Sequence, residues 1–246
     1  MKIYKFRDFS LVNEEQFRRL AETLRENVFW CARPSELNDP EEFNWVCDYQ
    51  PTEFTIPLLS ELLMKFKGQN QADAQMRAFL SVSAGRLEPI ASQVFQGLIE
   101  QCRNEIGLAC FGSSPDNEVM WQRYGGRGAG ICIEIDVPSE LLGLELHEVQ
   151  YAPVKRLHVD QLLGSCLAKS YAKEVYSVAL LSKTEKWAPE AEIRFVARRQ
   201  NVLVCIEGSH ISNLTLGPKL DPLSRQRIRE IVSNLPYHLP ISAHVA

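Results

Sequence analysis

The 246-residue sequence contains no apolar run long enough to cross a bilayer, since its hydrophobic stretches are broken by polar residues well short of the ~18 a spanning helix requires. It also lacks a signal-peptide apolar region: Met1-Lys-Ile-Tyr leads directly into strand-like sequence, so a cytoplasmic protein with no membrane partner is expected. Metal-ligand spacing is missing too. No two of the seven cysteines (Cys31, Cys47, Cys102, Cys110, Cys132, Cys166, Cys205) stand as CxxC, and none of the five histidines joins them as a ligand set, so no metal site is expected. Their odd number and apolar neighbours, as in Leu108-Ala-Cys-Phe and Gly130-Ile-Cys-Ile, read as reduced, buried thiols. There is no internal repeat, low-complexity tract or linker, which favours a single domain over residues 1–246. A net charge of −4 argues against wholesale electrostatic binding of nucleic acid. Local groups such as Arg123 and Arg127, or Arg194, Arg198 and Arg199, could still hold a phosphate.

What is present is ordinary globular material, 45% hydrophobic and 24% charged, enough for a substantial core. Lys2-Ile-Tyr-Lys-Phe-Arg alternates with period two and sets Tyr4 and Phe6 on one face of an opening strand. Asn13-Glu-Glu-Gln16 has the form of a capping box, and Phe17, Leu20, Ala21 and Leu24 follow at helical spacing, predicting a helix to about Arg25. Val28-Phe-Trp-Cys-Ala reads as a strand entering a loop that contains Asn38-Asp39-Pro40. Residues from about 56 to 104 carry three amphipathic patterns and read as a helical insertion. Ile106–Phe111 and Gly130–Ile135 are near-continuous apolar runs suited to central strands. Further on we expect a strand at Glu148–Tyr151, a helix from about Asp160 to Leu181, and a hairpin pairing Ala191–Ala197 with Val202–Ile206. A strand at Ile211–Leu216 and a helix opened by Asp221-Pro222 complete the chain. This order predicts an α+β fold with a central mixed or split sheet flanked by helices.

Four polar clusters beside strands could carry chemistry. Asn38-Asp39-Pro40 can order its own loop through an Asx turn. Met120-Trp121-Gln-Arg123-Tyr124 sets two aromatics three residues apart, facing one way, able to stack a base or nicotinamide ring or to cap the core. Tyr124-Gly-Gly-Arg-Gly-Ala-Gly130 permits close backbone approach to a phosphate, but it precedes a strand where a dinucleotide fingerprint would follow one, and no Walker lysine accompanies it. The most informative is Lys183-Thr-Glu-Lys-Trp187-Ala-Pro-Glu190-Ala-Glu192-Ile-Arg194-Phe. If Ala191, Ile193 and Phe195 face the core, Glu190, Glu192 and Arg194 share the opposite face. A carboxylate beside a guanidinium can grip a ribose hydroxyl or stabilise a developing cation, or can be a plain surface ion pair.

Taken together these segments resemble the bacterial family catalogued as domain of unknown function 2971. The likeness runs through Ile3–Arg7, Phe29–Pro34 with Asn38-Asp39-Pro40 and Glu42, Cys110–Ser113, Met120-Trp121 and Tyr124. It continues through Gly130–Glu134, Lys183, Trp187, Glu190, Glu192, Arg194 and Leu216-Gly217-Pro218. Gly112 and Gly125-Gly126 depart from it, at positions where bulkier or more polar residues are common. At the level of the fold, the order of a strand with a basic or aromatic residue, a middle strand ending in serine and a late strand with Glu-x-Glu is similar to that of ADP-ribosyltransferases. That resemblance implies NAD as co-substrate, bound across a split sheet, with a glutamate holding the ribose as positive charge develops. It implies Glu192 as the catalytic carboxylate, assisted by Glu190 and Arg194. Tyr4 or Arg7 would contact NAD, and Ser113, Trp121 and Tyr124 would position nicotinamide and ribose, with Asn38 and Asp39 also at the cofactor site. It further implies a protein or nucleic-acid acceptor, a role as toxin or antiviral defence effector, and an antitoxin or other operon partner.

Two readings from other classes stay open. In a nucleic-acid-binding module or nuclease, Trp30, Trp121 and Tyr124 would stack on bases and Arg123, Arg127 and Arg194 would contact phosphates, with Asp39, Glu42, Glu134 and Glu192 as the carboxylates available for a metal. In a non-catalytic interaction protein the same clusters would only brace loops.

Overall fold

A computed structural model describes residues 1–10, 14–39, 41–42, 45–154, 156–167 and 169–244, without the side chains of 169–174. Asn13 of the expected capping box and Pro40 lie outside the described residues. In chain order the strands are β1 (Lys2–Arg7), β2 (Val28–Cys31), β3 (Val46–Asp48), β4 (Gly107–Gly112), β5 (Ile131–Asp136), β6 (Leu146–Glu148), β7 (Gln150–Ala152), β8 (Arg156–His158), β9 (Ser182–Thr184), β10 (Glu192–Ala197), β11 (Val202–Cys205), β12 (His210–Leu216) and β13 (Ile241–Ala243). The helices are α1 (Glu14–Glu26), α2 (Thr55–Lys67), α3 (Gln71–Ser83), α4 (Leu87–Glu105), α5 (Glu118–Arg123), α6 (Val159–Ser165), α7 (Lys169–Leu181) and α8 (Pro222–Ser233). Among the described residues no helix is long and apolar enough to cross a membrane.

The fold is α+β, and its contacts divide it into two compact units, each drawn from separate stretches of chain. Unit 1 comprises Met1–Arg33, Ile106–Val149 and Lys186–Ala246. It is built on a mixed seven-stranded sheet in the order β13-β12-β5-β1-β4-β10-β6, antiparallel except where β13 joins β12. Pleating sends Ile3, Phe111, Ile133, Ile193 and Leu214 into one core, which α1 covers with Phe17, Leu20 and Leu24 and α8 with Ile228 and Val232. Asp221 caps α8 through its carboxylate to the Leu223 and Ser224 amides, with Pro222 opening the first turn as the sequence predicts.

One expected pairing is not formed. β10 does not make a hairpin with β11: both edges of β10 are taken within the sheet, by β4 and by β6. The chain instead crosses over so that β11 pairs with β2, where Val202 and Val204 pack inward beside Phe29 and Cys31. Burying that apolar row outweighs the short connection that a hairpin would use.

Unit 2 comprises Pro34–Glu105 and Gln150–Glu185. The predicted insertion is the run α2–α3–α4. Gly68 ends α2 in the left-handed region, at φ 61°, and the Asn70 side chain then caps α3. Leu59, Ala78, Leu87, Ala91, Val159 and Leu163 form this unit's core. The helix expected over residues 160–181 is two helices, α6 and α7; the first ends at Gly164-Ser165, both weak helix formers. Two small parallel pairs, β3–β8 and β7–β9, complete the unit.

Candidate functional site

The register of the large sheet decides which of the sequence-predicted residues meet. Gly112 of β4 stands opposite Tyr4 of β1 and opposite Glu192 of β10, and Tyr4 is in turn opposite Glu134 of β5. These positions form one row across four strands. Tyr4 opposite Gly112 is the only pairing between β1 and β4. Beyond it the strands part: the Cys110 carbonyl accepts a hydrogen bond from Lys5 Nζ at 2.8 Å, and Leu108 exchanges both of its backbone bonds with Ala32. Lys5, which alternates with Ile3 on the face of β1 opposite Tyr4 and lies over the Phe111 ring, braces this parting from the core side and does not join the Tyr4–Glu192 face. Withdrawal from water lowers its pKa.

Strand β10 supplies the buried charges. Its alternation begins at Glu192, with Ile193, Phe195 and Ala197 in the core and Glu192 and Arg194 on the other face. Arg194 Nε lies 2.8 Å from Glu192 Oε1 and Nη2 lies 3.5 Å from Oε2. Arg194 is fully buried, opposite Cys110 on one side and His147 on the other. The Cys110 thiol is pushed well above its ordinary range by burial and then by the Glu192 charge.

Glu190 does not share this strand face, contrary to the expectation from period two. It closes the 3₁₀ turn Glu185–Glu190, and the chain reverses through Ala191 at φ 45° before the strand starts, so the alternation does not extend back to it. The turn gives it different partners. Its carboxylate Oε1 accepts from Arg123 Nη1 and from the Tyr124 hydroxyl, each at 2.8 Å, while Asn117 donates to the carbonyls of Pro189 and Glu190. The Arg123 guanidinium also lies over the Trp187 ring, 4.5 Å from its centroid. Burial first, then the charge of Glu190 and its acceptance of the hydroxyl proton, drive the Tyr124 phenol far above its usual range, with a smaller push from the Glu192 charge.

The remaining predicted residues are distributed as follows. Trp121 is a core residue only 1% exposed: Phe6 meets its ring edge-on at 5.3 Å, His244 stacks on it at 4.5 Å, and its N–H donates to the Pro115 carbonyl. Of its two readings, capping the core describes its position. Ser113 is exposed at the end of β4. Arg7 projects from the opposite face of β1 to Tyr4 and donates to Thr23 Oγ1 at 2.8 Å; burial holds its pKa down at about 10. Asn38 and Asp39 belong to unit 2, where Asp39 Oδ1 accepts from the Glu41 amide in an Asx turn.

The glycines of the Tyr124–Gly130 loop serve close packing. A Cβ on Gly130 would sit 2.2 Å from the Arg7 carbonyl, and one on Gly126 would sit 2.3 Å from Asp8 Oδ1. Gly112 likewise makes room for the Phe6 ring, which a Cβ there would approach to 3.2 Å. Among the described residues no three histidine, cysteine or acidic side chains gather as a metal centre.

Compared with known families, curated proteins and solved structures, the chain matches none.

Proposed function

We propose that the chain is an ADP-ribosyltransferase that uses NAD to modify a macromolecule, protein or nucleic acid, with Glu192 as its catalytic carboxylate. The observation that carries this reading is the single pairing of β1 with β4, at Tyr4 and Gly112, with Glu192 opposite the same glycine. Tyr4 and Glu192 are thereby held two strand spacings apart, about 9.5 Å, on one face, with the Ser113 hydroxyl at the end of the strand between them. A carboxylate, a phenol, a hydroxyl and a buried guanidinium are the donor and acceptor types that recognise a ribose.

NAD supplies the ADP-ribosyl group, whose ribosyl carbon becomes electron-deficient as nicotinamide leaves. Glu192 accepts a ribose hydroxyl and stabilises that positive charge, and its burial strengthens the interaction. Arg194 fixes the orientation of Glu192 through the 2.8 Å contact. Glu190, gripped by Arg123 and Tyr124, orients the acceptor from the preceding turn. Uncontrolled transfer to cellular macromolecules would be harmful, which fits a toxin or phage-defence effector kept in check by a neutralising partner.

The test is NAD consumption and transfer of labelled ADP-ribose to lysate protein, DNA and RNA, comparing the intact chain with Glu192→Gln at matched folded content by circular dichroism. Transfer by the intact chain that is lost in the variant is expected. Absence of NAD turnover by the folded intact protein, or equal transfer by the variant, overturns the assignment.

A further inference from the structure

The crossover that takes β11 away from β10 creates a ribbon, β2–β11, with two unlike faces. The inner face, Phe29, Cys31, Val202 and Val204, is packed into the core. On the outer face Trp30 stands directly opposite Leu203, and Val28 opposite Cys205. Trp30 is 46% exposed and Leu203 43% exposed, so a large flat ring and an aliphatic neighbour meet solvent side by side. At one end of the same ribbon lie three exposed arginines, Arg33 after β2 and Arg198 and Arg199 before β11. With its amide assigned so that the oxygen faces the guanidinium, Asn201 accepts from Arg33 Nη2 at 2.9 Å and from Nε at 2.8 Å.

Charge makes the surface selective. The chain carries a net −4, yet no aspartate or glutamate occurs from Asn27 to Ser35 or from Ile193 to Ile206. Arg198 and Arg199 are therefore adjacent exposed cations in a stretch of chain without acidic residues, on a protein of net negative charge. Leu203 and Arg199 are four residues apart, at most ~13 Å along extended chain and less through the bend at 198–201, where Asn201 stands at φ 54°, so the aromatic platform and the guanidinium groups lie within reach of one flexible polyanion. A stacking ring beside phosphate-binding cations is the pairing that recognises unpaired bases on a sugar-phosphate backbone. Duplex bases are already stacked and would use only the arginines.

We infer that the outer face of the β2–β11 ribbon is a docking surface for single-stranded nucleic acid, with Trp30 stacking a base and Arg198 and Arg199 contacting phosphates. The inference is independent of the proposed transfer reaction, and its test contains no NAD.

Fluorescently labelled oligo-dT and oligo-U are titrated with the full chain by anisotropy, at low and at physiological salt, with a duplex of equal length as comparison. Binding of at least one single strand is expected, weakening as salt rises. Trp30→Ala should reduce affinity on the order of ten-fold, Trp30→Phe should recover most of it, and Arg198→Glu with Arg199→Glu should abolish it. Preference between the two oligomers identifies DNA or RNA as the strand. No binding by the intact chain at low salt, stronger binding of the duplex, or equal affinity in Trp30→Ala would each overturn the inference. So would concentration-dependent dimerisation abolished by Trp30→Ala in the absence of binding, which would give this face to a second copy of the chain.

Discussion

Arg194 reaches back to Glu192, two residues earlier on the same strand, with Nε 2.8 Å from Oε1, and neither residue is more than 4% exposed. Two charges withdrawn from water repay their desolvation only through each other and their neighbours, so the pair is worth little against an apolar replacement but much against the loss of one partner. Arg194→Leu should therefore destabilise the fold by about 3–5 kcal/mol, read as a lower denaturant midpoint. Glu192→Gln, which keeps an acceptor facing the guanidinium, should cost less. Glu192→Leu combined with Arg194→Met should regain most of the loss. A single Arg194→Leu variant as stable as the parent would show that the pair is not the buried anchor of β10.

The Tyr124 phenol gives a pH dependence of defined sign. Its folded pKa is raised, first by burial and then by Glu190, above the value of about 10 for a free tyrosine. Its contribution to stability is fully present below the unfolded pKa. Above pH 10 the unfolded chain releases this proton while the folded chain retains it, so stability falls as pH rises toward the folded pKa. Urea unfolding between pH 8 and pH 11 should show this decline, and Tyr124→Phe should flatten it. At pH 8 the same variant should lose about 1.5–3 kcal/mol, the range for a hydrogen bond to a charged group. An unchanged slope in Tyr124→Phe would assign the alkaline loss to other groups, such as Cys31, raised to about 11 by burial.

The elements legible in the sequence were those whose own residues decide them. The period-two run of β1, the cap at Asp221 and the three helical patterns expected over about 56–104 need no information from distant chain, and each is formed, the helices spanning Thr55–Glu105. Pairing was less legible because it is a contest between strands. The sequence brings Val202 near Ala197, but only the sheet reveals that β4 and β6 already occupy both edges of β10. At the candidate site the Glu192 and Arg194 face was readable from alternation, whereas Glu190 was misplaced because nothing local in Pro-Glu-Ala-Glu announces a left-handed alanine. The position of Lys5 is illegible in the sequence for a similar reason. Its role depends on β1 and β4 parting after one residue pair, which no feature of either strand alone specifies.

Two glycines test whether the tight loop before β5 is set by packing. At Gly130 an added Cβ would meet the Arg7 carbonyl at 2.2 Å and the Gly125 carbonyl at 2.7 Å, both backbone atoms that cannot rotate away. Gly130→Ala should therefore cost about 1–3 kcal/mol through strain, and because Arg7 and Gly125 are the obstacles, the loss should come with displaced amide resonances along β1 and in the loop. Gly97 lies inside α4 with nothing within 4 Å of the same imagined atom and no positive φ. There alanine removes unfolded-state freedom without a clash, so Gly97→Ala should stabilise by roughly 0.5–1 kcal/mol. Opposite signs for one added methyl group, measured by equilibrium unfolding of the two variants, would establish that the loop glycines are selected by backbone contact. Equal and small effects would return the Tyr124–Gly130 segment to a flexible connection, open to a phosphate.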